Sequence, residues 1–189
     1  MDEIRAEIQK AVEVLKNGGV ILYPTDTVWG LGCDASNAEA VQRIYEIKQR
    51  EASKSMIILT NGERMIWSTF NEIPEVAWQL MEMSEKPTTL VLDNPKNIAK
   101  NLIAEDNSIG MRWVKEPFCV GVMNQLKKPL VSTSANLSGA PTPNSFEQIS
   151  PEIRQSVDYV VNLYRDKPSG PPSTIIKLTR DAQVKIIRK

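Results

Sequence analysis

Chemistry in this chain has to come from hydroxyls, carboxylates, amides, lysines and arginines, because histidine is absent. Without an imidazole there is no Ser-His or Cys-His pair, and a zinc enzyme is disfavoured. Five segments gather the remaining groups. In the first, Thr25, Asp26 and Thr27 follow Tyr23-Pro24 and precede Gly30 and Gly32. Glycines there let backbone amides approach a ligand. The second is Lys48-Gln49-Arg50-Glu51-Ala52-Ser53-Lys54. If extended, it projects Lys48 and Arg50 to one side, an arrangement suited to a triphosphate. As a helix end, the same charges would only complement the dipole. The third runs from Leu130-Val131 into Ser132, Thr133, Ser134, Asn136, Ser138 and Gly139. Small donors of this kind line a phosphate or ribose, or else build a turn and helix cap. In the fourth, Ser108, Gly110 and Arg112 alternate, so an extended chain faces all three one way and Arg112 can hold a carboxylate. The fifth, Ser173-Thr174, opens an apolar run.

Gly30, Gly32 and Ala35 imitate a dinucleotide fingerprint. That motif needs its first glycine directly after a strand, and Gly30 comes seven positions after Tyr23, so NAD or FAD binding is discounted. The two cysteines, Cys33 and Cys119, lack metal-ligand spacing and read as reduced interior thiols.

These loops need a frame. Ile4, Ile8, Ala11, Val12 and Leu15 recur at helical spacing before the stop signal Gly18-Gly19. Residues 20–23 read as a buried strand closed by Pro24, and residues 25–36 as a loop. Asn37 suits the cap of a helix carrying Val41, Ile44, Tyr45 and Ile47 on one face. Further strands are expected at residues 56–60, 88–92, 108–113, 130–133, 159–163, 174–178 and 184–187. Helical patterns lie around Arg64, at 76–83 and at 121–126. This interleaving predicts one α/β domain over residues 1–189, built on a mixed sheet. The Pro/Gly/Ser-rich stretches 134–145 and 167–173 are too short for interdomain linkers and sit beside strand ends, where ligand loops lie.

Composition narrows the function classes. The 189 residues include 23 basic and 23 acidic side chains, which argues against a nucleic-acid coat or a polybasic membrane anchor. No apolar run approaches the roughly 18 residues of a membrane span. The charged N-terminus MDEIRAEIQK is unlike a signal peptide, so a cytoplasmic location is expected.

Taken in order, YPTDTVWGLGCDASN, KQR, SIGMR, VSTSANLSGAPTP, PSTIIKL and IIRK resemble the YrdC-like threonylcarbamoyl-AMP synthases, in their short single-domain form. The resemblance implies a twisted mixed sheet with flanking helices around a deep, positively lined cavity. It implies L-threonine, bicarbonate and ATP as substrates, Mg2+ accompanying the ATP, and threonylcarbamoyl-AMP and pyrophosphate as products. A partner transferase would then modify tRNA. By the same resemblance, Lys48 and Arg50 are the catalytic cations. Lys48, Arg50, Lys54, Ser108, Ser134, Asn136, Thr142 and Arg188 would contact ATP. Thr27, Arg112, Ser132 and Ser173 would contact threonine. Trp29 stands where the family usually has Tyr, Ser55 where a Pro is common, and Glu85-Lys86-Pro87-Thr88-Thr89 where Pro-Gly-Pro-x-Thr is usual.

The implied chemistry needs no protein nucleophile, only positioning and charge neutralisation. Competing readings are a double-stranded RNA or tRNA-binding module and a paralogue of the same fold without synthase activity. A third is a carbamoyl-transfer maturation enzyme, which the chain length disfavours.

Overall fold

The computed structural model describes residues 2–49, 56–179 and 183–189. Helix α1 (Asp2–Lys16) buries Ile8, Ala11, Val12 and Leu15, the stripe expected from the period of 3.6. It stops at Gly18, whose φ of 78° only glycine adopts without strain. Strand β1 (Ile21–Tyr23) follows, and then β2 (Gly30–Gly32) lies inside the stretch read as loop. The missed strand has a steric logic. A Cβ on Gly32 would lie 2.5 Å from Val131 O and 2.6 Å from the Tyr23 ring, so only glycine lets β2 approach that closely. Gly30 and Gly32 are therefore strand residues, which removes the dinucleotide turn.

Helix α2 (Ala38–Ile47) starts as expected, with Asn37 Oδ1 accepting from Ala40 N at 3.0 Å. There follow β3 (Ile57–Thr60), α3 (Glu63–Thr69), α4 (Glu75–Met83), β4 (Thr88–Asp93) and β5 (Ser108–Trp113). Helix α5 (Pro117–Leu126) has Pro117 in its first turn and the Glu116 carboxylate bonded to Phe118 N and Cys119 N. Next come β6 (Leu130–Ser134), α6 (Pro151–Ser156), β7 (Tyr159–Val160), β8 (Thr174–Leu178) and β9 (Val184–Arg188). Helix α6 was not anticipated, although Ser150 caps it and Pro151 opens it.

Among the described residues the strands form one nine-stranded sheet, ordered β7-β1-β2-β6-β3-β5-β4-β8-β9. The pairs β1–β7, β3–β5 and β4–β8 are parallel and the other pairs antiparallel, giving the mixed α/β sheet expected. β6 is the hinge of the sheet, since Ser134 pairs with Gly30 on one side and Ser132 with Ile57 on the other. Ile57 in turn faces Gly110 on β5. Thus the first and third chemistry-bearing segments are adjacent strands, and the fourth, on β5, is one strand further along, across β3. No helix among the described residues is long and apolar enough to cross a membrane.

Candidate active site

Thr27, Gly30, Arg112, Ser132, Ser134, Thr142, Ser173 and Arg188 line one cavity of about 230 Å3. Their elements explain the convergence. Ser132 and Ser134 share a face of β6, two residues apart, and Gly30 beside them adds no side chain to fill the space. Arg112 comes from the interior strand β5, and Arg188 from β9, where it pairs with Ile175.

Arg112 is 4% exposed. Its Nη2 lies 2.9 Å from Asp26 Oδ1 in an ion pair. Among the described residues, Arg112 Nε and Asp26 Oδ1 lack hydrogen-bond partners, so this contact fixes charge without satisfying the guanidinium. A buried N–H left in that state is a place for an acceptor from a ligand. Partial burial, and then the Arg112 charge, pulls the Arg188 guanidinium below the ordinary arginine range. Two cations facing one cavity repel until an anion separates them. Arg188 is held in place by donating from Nε and Nη2 to Ser173 O at 3.0 and 2.8 Å. The Ser173 and Thr89 hydroxyls are 2.8 Å apart and buried.

Ser108 stands in an adjoining hollow of about 540 Å3 that shares Met56, Ile57, Thr89 and Ile175 with the first. It donates to Asp106 Oδ1 at 2.5 Å, and Lys177 pairs with the same carboxylate. These two bonds hold the Asp106 carboxyl below its usual range. Ser108, Gly110 and Arg112 do face one way along β5, but only Arg112 reaches the smaller cavity.

Lys48 and Asn136 do not line that cavity. Of the two paths considered for residues 48 and 49, the helix end is observed, since α2 runs to Ile47, Lys48 closes it in a helical conformation and Gln49 turns at φ 50°. Lys48 is 1% exposed, and its ammonium donates to Ser134 O at 2.5 Å and Asn136 O at 2.6 Å. Asn136 Nδ2 donates to Ala140 O at 2.6 Å and Leu137 O at 3.1 Å. Both side chains thus build the loop that presents Ser134. Arg50 and Lys54 lie outside the described residues, as does Ser55.

Trp29 lines a neighbouring pocket and not the small cavity, with its ring centroid 4.8 Å from that of Phe146. Three residues of the site carry no assigned role in the sequence reading. Asp26 is the counter-charge of Arg112, Thr89 bonds Ser173, and Thr25 organises Thr27 through hydrogen bonds. The density of hydroxyls in Thr25-Asp26-Thr27 was the available signal.

The family model of Sua5, YciO and YrdC, described as "Telomere recombination", matches residues 13–189. The threonylcarbamoyl-AMP synthase of Pseudoalteromonas translucida is 34% identical over 177 residues, covering 90% of this chain and 92% of that one. The E. coli YciO structure superposes with a TM-score of 0.84 at 28% identity, covering 98% of this chain and 89% of YciO. P. abyssi Sua5 complexed with L-threonine gives a TM-score of 0.80 at 26% identity, covering 93% of this chain. The match spans about half of that longer protein, 52%. With the ordered motifs, the sheet and the matched length in agreement, the chain belongs to the Sua5/YciO/YrdC family.

Proposed function

We propose that this protein is an L-threonylcarbamoyladenylate synthase. It joins L-threonine, bicarbonate and ATP into threonylcarbamoyl-AMP, releasing pyrophosphate and water. The observation that carries this reading is the pair Arg112 and Arg188 facing one hydroxyl-lined cavity, in a chain similar to enzymes of that name. The product carries two anionic groups, a carboxylate and a phosphate, and the cavity offers a cation for each. Arg112 takes the threonine carboxylate on its unpartnered Nε edge, with Thr27, Ser132 and Ser173 around the amino acid. Arg188, Ser134 and Thr142 meet the nucleotide, and the hollow at Ser108 extends the nucleotide site. Arg50 and Lys54 remain proposed triphosphate cations. Lys48 and Asn136 act from behind the wall, holding the Ser134 loop in shape.

In the reaction the threonine nitrogen attacks the carbon of CO2 formed from bicarbonate, losing a proton to give a carbamate. A carbamate oxygen then attacks the α-phosphorus, and the bond to pyrophosphate breaks. The protein positions the reactants and offsets charge, which are the main sources of rate in phosphoryl chemistry. Mg2+ enters with the nucleotide, as part of the MgATP substrate. The product is a reactive mixed anhydride, and a tRNA-modifying transferase is its expected consumer. Direct contact with tRNA or double-stranded RNA is a subsidiary expectation, and the cytoplasm is the proposed compartment.

Pyrophosphate release, measured with ATP, bicarbonate and each amino acid in turn, tests the reading. Strict dependence on threonine is expected. Release that ignores the amino acid, or no release at all, would favour the paralogue without synthase activity.

A further inference from the structure

Between β1 and β2 the hydroxyls of Thr25 and Thr27 are 3.0 Å apart, and distance alone leaves their direction open. The neighbours decide it. Thr25 Oγ1 lies 2.7 Å from Val28 O, and a carbonyl cannot donate, so the single Thr25 proton goes there. Thr27 N donates to Thr25 Oγ1 at 3.0 Å, using one of its lone pairs. The Thr27 hydroxyl must then donate to the second lone pair of Thr25. Thr25 is saturated, with one donation and two acceptances. Among the described residues, Thr27 has its only proton committed and both lone pairs left over. It is 5% exposed and lines the cavity with Arg112, whereas Thr25 lies outside that lining and inside the neighbouring pocket.

We infer that Thr25 is a positioning residue for the amino-acid substrate. Its hydroxyl makes Thr27 Oγ1 face the cavity as a hydrogen-bond acceptor only, so the substrate must present an N–H or O–H there and keep its carboxylate for Arg112. The inference deepens the proposed function and rests on it. The polarity matters because a carboxylate oxygen set against an acceptor-only hydroxyl is repelled, with no proton available to turn toward it. An amino acid entering the cavity is therefore sorted end for end. The anionic end finds the orphan Nε of Arg112, and the amine or side-chain hydroxyl finds Thr27. With the carboxylate on Arg112 and either donor on Thr27, the amino acid has one orientation before the carbamate forms.

Thr25→Val keeps the shape and removes the relay, freeing the Thr27 proton to rotate into the cavity. Thr25→Ser keeps it, and Thr25→Ala is the second variant should Thr25→Val fail to fold. Threonine-dependent pyrophosphate release is measured across threonine and ATP concentrations. The expected result is a KM for threonine raised about tenfold in Thr25→Val, the scale of one lost neutral hydrogen bond. The KM for ATP should stay within about twofold, and Thr25→Ser should stay close to wild type. A threonine KM unchanged in Thr25→Val overturns the inference. So does Thr25→Ser matching Thr25→Val, or a joint rise in both KM values, which marks general loosening. If wild type shows no threonine-dependent release, the functional reading fails and the inference falls with it. Wild-type turnover with an unaffected Thr25→Val sinks the inference alone.

Discussion

Arg112 Nη2 sits 2.9 Å from Asp26 Oδ1, while Arg112 Nε, equally buried, has no hydrogen-bond partner among the described residues. The pair joins the loop between β1 and β2 to the interior strand β5. Asp26 offsets the guanidinium charge and orients it, and leaves the Nε–H uncommitted.

Arg112→Lys keeps the charge but loses the planar fork. The threonine KM should rise by a factor on the order of thirty, about 2 kcal/mol of lost charge-assisted hydrogen bonding. Asp26→Asn should behave differently. It strands a buried cation, so stability should fall by about 2–3 kcal/mol, below a fully buried pair because Asp26 keeps contact with water. Threonine then supplies the missing counter-charge, and the threonine-induced rise in melting temperature should exceed that of wild type. Differential scanning calorimetry with and without threonine measures both.

The family resemblance implies a triphosphate contact for Lys48, and its ammonium lies under the Ser134 loop. Lys48→Met keeps the length but leaves Ser134 O and Asn136 O without their ammonium partner. Urea denaturation should show a loss of about 2–4 kcal/mol, the scale of removing a buried charged donor. Turnover should fall with it, since the loop carries Ser134 into the cavity.

Two glycines predict opposite tolerance. Gly32→Ala places a methyl 2.5 Å from Val131 O, a clash with backbone, and should cost about 1–3 kcal/mol. Gly139 has open space around its Cβ position but a φ of 82°. Gly139→Ala should cost only about 1 kcal/mol of backbone strain. Thermal melts of the two variants check the order.

Glu7 ties α1 to the segment after β7. Burial raises its pKa, but hydrogen bonds from Tyr159, Asn162 N and Lys10 outweigh burial and leave it below the ordinary glutamate value. A carboxyl lowered in the folded state stabilises above its unfolded pKa, and that contribution disappears as pH falls through the folded value. Wild type should therefore lose stability below about pH 4.5, and Glu7→Gln should start lower and show a flatter acid limb in pH-dependent chemical denaturation.

Elements defined by local periodicity were legible. The α1 stripe, the Asn37 cap and the alternation of Ser108, Gly110 and Arg112 all depend on neighbours a few residues away. β2 was not legible, because Gly-Leu-Gly has little strand propensity and is a strand only through its ladders to β1 and to β6, about a hundred residues on. The strand read at residues 159–163 shrinks to Tyr159–Val160. Val161 N still bonds Leu22 O, but Asn162 N turns away to the Glu7 carboxylate. For the cavity wall, residue types pointed to Thr27, Gly30, Arg112, Ser132, Ser134 and Ser173, while Thr142 and Arg188 came only from the family resemblance. What they could not convey was direction: Lys48 pointing into carbonyls 86 and 88 residues away, or the Thr27 proton committed to Thr25.

The most direct measurement of the central claim is mass spectrometry of an incubation with ATP, threonine and carbon-13 bicarbonate. The account predicts an adenylate containing one threonine and one labelled carbon, formed together with pyrophosphate and greatly diminished in Arg112→Lys. ATP cleavage that yields only unlabelled AMP, or an adenylate lacking the bicarbonate carbon, would contradict it.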